Sequence, residues 1–237
     1  MSMKTLLTIT IFLFMTGCET AQQVLSGMNT GPGGLTSAEI AAGLKEALRI
    51  GTQNGSARLA AADGFFANAA IKILMPEEAK KVESTLRSIG LGSLVDKAVL
   101  SMNRAAEDAA HSAAPIFVNA IKEMTITDAI GILKGDDYAA THYFKEKTTL
   151  PLTNAFRPVI EKALTKVDAT KYWNDVFTAY NKFAANPVNT DLSAYVTERA
   201  LTGIFYEVGQ EELKIRKDPA ARVTDLLKKV FGSNTQQ

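Results

Sequence analysis

From Leu94 onward the apolar residues fall at Leu94, Ala98, Met102, Ala105 and Ala109, then at Phe117, Ala120, Ile121 and Met124. Steps of three and four residues put them on one face of a helix, where a strand would need steps of two. The same spacing recurs at Ile40, Leu44, Ala47 and Leu48, at Val82, Leu86 and Ile89, and at Trp173, Val176, Phe177 and Tyr180. It returns at Tyr195, Leu201, Phe205 and Val208, and at Val223, Leu226, Leu227 and Val230. Alternation of β-branched residues is scarce. The fold class expected is therefore all-α, a multi-helix globular bundle of about eight to ten helices. One segment stands apart: in FFANAAIKILM the final AIKIL alternates, which suggests a short extended piece near residues 70–75.

Local punctuation agrees. Thr36–Glu39 and Thr125–Asp128 form T-x-x-[DE] capping boxes that open helices. Pro76, followed by Glu77 and Glu78, suits a first helical residue, and Gly90 suits a stop. Asp136 or Asp137 is the expected cap of the next segment, Asp168 of the Trp173 helix and Asp191 of the long helix after the Asn186-Pro187 turn. Gly51 and Gly55 are expected to break or weaken the first helix. Pro115 should split the long pattern near Ala114, and Pro151 and Pro158 stand as interruptions. Asp218-Pro219 restarts a last helix that ends at Gly232.

The N-terminus decides location. Lys4 precedes an apolar run from Leu6 to Met15 that is too short to cross a hydrocarbon core of about 30 Å. It suits the apolar region of an export signal. The sole cysteine, Cys18, ends the stretch Met15-Thr16-Gly17-Cys18. This stretch resembles the lipobox of bacterial lipoproteins, with Met15 where Leu is usual. The resemblance implies cleavage before Cys18 and acylation of its thiol, anchoring the chain to a membrane. Glu19, where an Asp would signal retention in the inner membrane of enteric bacteria, points to the outer membrane. The expected organisation is a signal peptide over 1–17, a flexible tether over 18–34, a single helical domain over 35–232 and a disordered tail over 233–237. The expected location is the bacterial cell envelope, lipid-anchored and facing the periplasm.

Composition excludes some functions. Loss of Lys4 takes the 26 basic side chains to 25, against 25 acidic ones. A chain without net charge has no electrostatic drive toward nucleic acid. With Cys18 consumed, no thiol remains for disulfides, metals or redox chemistry.

Several stretches together resemble the bacterial family known as domain of unknown function 4197. These are DGFFANAAIKILMP, MNRAAEDAA, TITDAIGILKGDDYAATHYF and EELKIRKDPAARVTDLLKKVF, in that order over roughly residues 36–232. The resemblance implies an exported helical protein and carries no catalytic residues with it.

Candidate sites are few. His111 and His142 are the only histidines and show no metal-binding spacing, and no nucleophile motif is present, so neither a catalytic residue nor a metal or other cofactor is expected. Asn103, Arg104, Glu107 and Asp108 form a polar cluster among alanines. Either it is an interhelical clamp, with Arg104 satisfied by acids and Asn103 by backbone, or Arg104 binds an anionic ligand. Arg216, Lys217 and Arg222 lie near the start of the last helix and make a candidate anion site, unless Glu211 and Glu212 neutralise them. Trp173, Phe177 and Tyr180, with Tyr172, read as core or as one wall of a ligand groove against the Leu201–Phe205 helix. An unrecognised enzyme would need Asp63, Arg104, Glu107, Asp128 and His142 to converge in one cleft. The reading these features favour is an envelope protein that binds or scaffolds, with the membrane, an envelope protein or a lipid as partner. A carrier of a hydrophobic or anionic small ligand is the rival.

Overall fold

Both capping boxes form. In the computed structural model, the Thr36 side chain accepts from Glu39 N at 3.2 Å while the Glu39 carboxylate accepts from Thr36 N at 2.8 Å. This reciprocal pair starts α1 (Ser37–Ala60). The structure describes residues 35–182 and 190–218, together with Pro187, Asp225, Lys228 and Val230; the side chains at 172, 175, 176, 179 and 180 are outside that description. Cys18, the tether, Asn186 of the Asn186-Pro187 turn, Arg222, most of the last helix and the tail lie outside the described residues.

Among the described residues there are eight α-helices and no strand. After α1 comes a 3-10 turn (Glu77–Ala79), then α2 (Lys80–Ser88), α3 (Gly92–Ala110), α4 (Ala113–Glu123), α5 (Ile126–Lys134), α6 (Ala139–Lys166), α7 (Ala169–Asn181) and α8 (Leu192–Lys217). The two longest later helices, α6 and α8, pack on each other more extensively than any other pair, and α3 packs on α6. α1 lies against α8, α4 and α5. The core is continuous through them, with Phe117 edge-on to Phe144 and to Phe205 at centroid distances of 5.2 and 6.3 Å. Phe65, Phe117, Phe144 and Phe156 are wholly buried. Each such side chain contributes roughly 1.5–3 kcal/mol by leaving water.

Several expectations need correction. Gly51 and Gly55 do not break α1; they let α8 approach. A Cβ on Gly51 would stand 3.4 Å from Glu211 Cβ, and one on Gly55 would stand 3.8 Å from Glu207 Cβ. The chain does turn at Asp63-Gly64, where Asp63 has φ 67 and a Cβ on Gly64 would collide with the Arg58 carbonyl oxygen. AIKIL forms no strand: residues 72–76 have no regular structure. Pro76 precedes the 3-10 turn rather than opening an α-helix. α2 stops at Ser88, one residue before Ile89.

The long pattern divides at His111-Ser112, so Pro115 becomes the third residue of α4, where a helix needs no N–H donor. Pro151 and Pro158 both lie inside α6, which continues through them. Threonine hydroxyls reinforce that helix: Thr148 donates to Phe144 O at 2.6 Å, Thr149 to Lys145 O at 2.6 Å and Thr153 to Thr149 O at 2.8 Å. Asp168, with φ 55, precedes α7. Asp191 does cap α8, accepting from Ala194 N at 2.9 Å.

Candidate functional site

The polar cluster of α3 turns inward onto the chain's own backbone. Asn103 and Glu107 are four residues apart and share the buried face of α3. Asn103 Oδ1 accepts from Ile73 N at 2.9 Å, and its Nδ2 donates to Ile73 O at 2.8 Å and to Val99 O at 2.7 Å. Glu107 Oε1 accepts from the Phe65 and Phe66 N–H groups, both at 3.1 Å. Its Oε2 accepts from Arg104 Nη1 at 2.6 Å, and Arg104 Nη2 donates to Asp63 Oδ1 at 2.7 Å. The Arg104 guanidinium and the Lys72 ammonium both face the Phe66 ring, at 5.9 and 3.8 Å from its centroid. Asp108 is exposed and joins no ion pair among the described residues. Of the residues considered for an enzyme, Asp63, Arg104 and Glu107 therefore meet, and their hydrogen bonds tie residues 63–66 to α3.

Asp128 and His142 do not join them. Asp128 closes its own capping box, where the Thr125 N–H and hydroxyl hold its carboxyl below the usual carboxylate range. His142 lies 3.8 Å from Asp136 at the surface. Among the described residues no group of three His, Cys, Asp or Glu side chains is placed to hold a metal ion. No described helix is long and apolar enough to cross a membrane.

Arg216 is also turned inward. It donates to Glu212 Oε1 through Nε at 3.0 Å and Nη2 at 2.8 Å, and its Nη2 donates to Ile132 O at 2.8 Å near the end of α5. Glu212 in turn caps α6, accepting from Ala140 N and Thr141 N at 2.9 Å each and from the Thr141 hydroxyl at 2.8 Å. This corrects the expectation for Asp136 and Asp137. Asp136 accepts from Tyr138 N at 2.8 Å in a local turn, and Asp137 pairs with Lys217 at 2.5 Å. The sites are matched to the helix dipoles, with a carboxylate at the start of α6 and a guanidinium at the end of α5. Sequence reading missed the cap because 72 residues separate Ala140 from Glu212. Adjacent Glu211 points elsewhere, to Arg58 at 2.7 Å and Lys214 at 2.9 Å, and Arg58 also reaches Glu207 at 2.9 Å.

Trp173 and Phe177 are buried with centroids 4.4 Å apart, and neither lines the groove between α6 and α8. A half-open groove of ≈ 700 Å³ lies between α6 and α8. The two helices run antiparallel, so Tyr138 lies by Gly209 at one end and Arg157 by Asp191 at the other. Leu201, Phe205 and Thr197 form its buried floor. The hydroxyls of Thr149, Thr153, Thr197 and Thr202 donate to carbonyls four residues back in their own helices. They offer the groove no free hydroxyl hydrogen. Lys145, 6.0 Å above the Phe205 ring, and Glu198 on the opposite helix have no ion-pair partner among the described residues.

A family model described as a protein of unknown function, DUF4197, matches residues 34–232. The chain belongs to the DUF4197 family. Comparison of this DUF4197 chain with curated proteins and with solved structures gives no match. The matched range takes in every helix described above, so the α3 clamp, the Glu212–Arg216 junction and the groove all lie within the DUF4197 region.

Proposed function

We propose that this DUF4197 chain is a lipid-anchored protein of the bacterial cell envelope that faces the periplasm and acts by binding a partner protein along the α6–α8 groove. The Met15-Thr16-Gly17-Cys18 stretch supports the anchor, and Glu19 favours the outer membrane. The observation that carries the binding reading is the contrast in how charge is used. Glu107, Glu212 and Arg216 are committed to the chain's own backbone and Arg104 to the Glu107 and Asp63 carboxylates, whereas Lys145 and Glu198 stand unpaired among the described residues on opposite walls of an apolar-floored groove.

The groove's shape favours a polypeptide. From Tyr138 to Arg157 it follows α6 for about 29 Å at the helical rise per residue. A channel that is long and open along one side suits an elongated occupant better than a compact small ligand. It can receive an extended or helical segment of a partner, with Lys145 and Glu198 setting its direction.

Two experiments test the reading. A photo-crosslinking residue at Thr149 or Thr202, in cells, should give a discrete adduct that the same residue at Glu161, outside the groove, does not. Equal yields at all three positions would remove the groove as binding face. Separately, Cys18→Ser should abolish acylation and release the chain from membranes; a variant still fractionating with membranes would remove the anchor.

A further inference from the structure

Among the described α-helices α2 alone has no buried residue. It packs chiefly on α3 and the preceding 3-10 turn. Only Val82 and Leu86 rest against the core. The turn is made by Gly90 at φ 82, around which a Cβ would meet nothing within 4 Å. Three aliphatic side chains surround it, Ile89 at 64%, Leu91 at 40% and Leu94 at 53% exposure. Behind them Arg87 donates to Glu83 at 2.9 Å and Asp96 at 2.8 Å, which clips α2 to α3 and neutralises charge near the tip. Over residues 77–97 the acids Glu77, Glu78, Glu83 and Asp96 are balanced by Lys80, Lys81, Arg87 and Lys97.

We propose that the Ile89–Leu91–Leu94 tip inserts into the bilayer that holds the chain's acyl anchor, giving the body a second membrane contact; the inference rests on the anchor reading for its local concentration. A clustered apolar tip exposed to water marks an interaction site. Its position selects the occupant. Exposed side chains at the turn into a helix that packs chiefly on its neighbour can enter a lipid interface without a matching surface. Local charge neutrality means that neither attraction nor repulsion by headgroups decides the contact; burial of aliphatic carbon does. The sixteen residues between Cys18 and Leu35 span up to about 53 Å when extended. A body of some 200 residues is about 43 Å across. An extended tether is therefore long enough to let most faces of that body meet the bilayer, and tethering makes the encounter intramolecular.

The test uses the mature chain with an N-terminal hexahistidine in place of the acyl chains, held on phosphatidylethanolamine–phosphatidylglycerol vesicles containing a nickel-chelating lipid. In a Cys18→Ser background, Leu91→Cys carries an environment-sensitive fluorophore, and Glu161→Cys serves as control. The Leu91 label should brighten about twofold and shift to the blue on tethering, and should be quenched better by shallow than by deep spin-labelled lipids, as fits burial of about 5–10 Å. Amides 88–95 of the unlabelled chain should gain protection from hydrogen exchange on vesicles. A Leu91 label that behaves as the Glu161 label does would overturn the proposal. So would a Leu91 shift that appears with rising protein concentration in the absence of vesicles, which would assign the tip to a protein interface. Because the hexahistidine supplies the tether, an unacylated Cys18 would remove the anchor reading without touching this result.

Discussion

Asn103 gives the backbone of Ile73 both hydrogen bonds that a neighbouring strand would supply. Both residues are wholly buried. Asn103→Ala would leave the Ile73 N–H and C=O unpaired away from water. A loss of about 2–4 kcal/mol is expected, read as a lower urea midpoint. Asn103→Leu, which keeps the volume but not the bonds, should lose at least as much.

Glu212 and Arg216 join three helices, and their side chains are only 4% and 12% exposed. Glu212→Ala takes the carboxylate away from the guanidinium and uncaps α6. The expected cost is about 3–5 kcal/mol, measured by chemical unfolding. The double variant Glu212→Leu/Arg216→Met should recover part of it, because it removes both charges together.

Two glycines should respond in opposite directions. A Cβ on Gly203 would stand 2.5 Å from Phe65 Cε1, so Gly203→Ala should destabilise by about 1–3 kcal/mol. A Cβ on Gly131 would meet nothing within 4 Å, and Gly131 lies within α5. Gly131→Ala should stabilise by about 0.5–1 kcal/mol. Thermal melts of the two variants check both signs.

Burial pushes the Tyr195 phenol above its ordinary pKa, and the neutral hydroxyl donates to Leu74 O at 2.8 Å. A raised folded-state pKa stabilises the fold below the unfolded value of about 10, and that contribution is lost as pH rises through the folded value. Tyr195→Phe should therefore be less stable than the parent at pH 8, with the gap narrowing above about pH 10. Urea midpoints at both pH values give the comparison.

The Ser56 hydroxyl is buried in α1 with no hydrogen-bond partner among the described residues. Ser56→Ala should gain about 1 kcal/mol, seen in the unfolding midpoint.

What could be read from the sequence was the part written locally. Thr36–Glu39 and Thr125–Asp128 cap within three residues, and both boxes were legible as spacing alone. The helical stripes were legible for the same reason. Glu212 was not legible as a cap, because the helix it caps lies far back in the chain. Gly51 and Gly55 looked like breaks because a glycine's helix cost is visible in sequence, whereas the helix that presses against it is not. Pro151 and Pro158 misled similarly: α6 is fixed by its packing on α3 and α8. Asn103 and Glu107 could be picked out as polar residues among alanines, but nothing local says that they meet residues 65–73. The groove belongs to two helices about fifty residues apart and left no motif.

The Glu212 cap also sets a timetable for biosynthesis. A ribosome adding roughly 5–20 residues per second delivers the first turn of α6 some 4–14 s before it delivers the carboxylate that completes it. A chain truncated anywhere upstream of Glu212 lacks that carboxylate, so the first amides of α6 would lose the cap that α8 supplies.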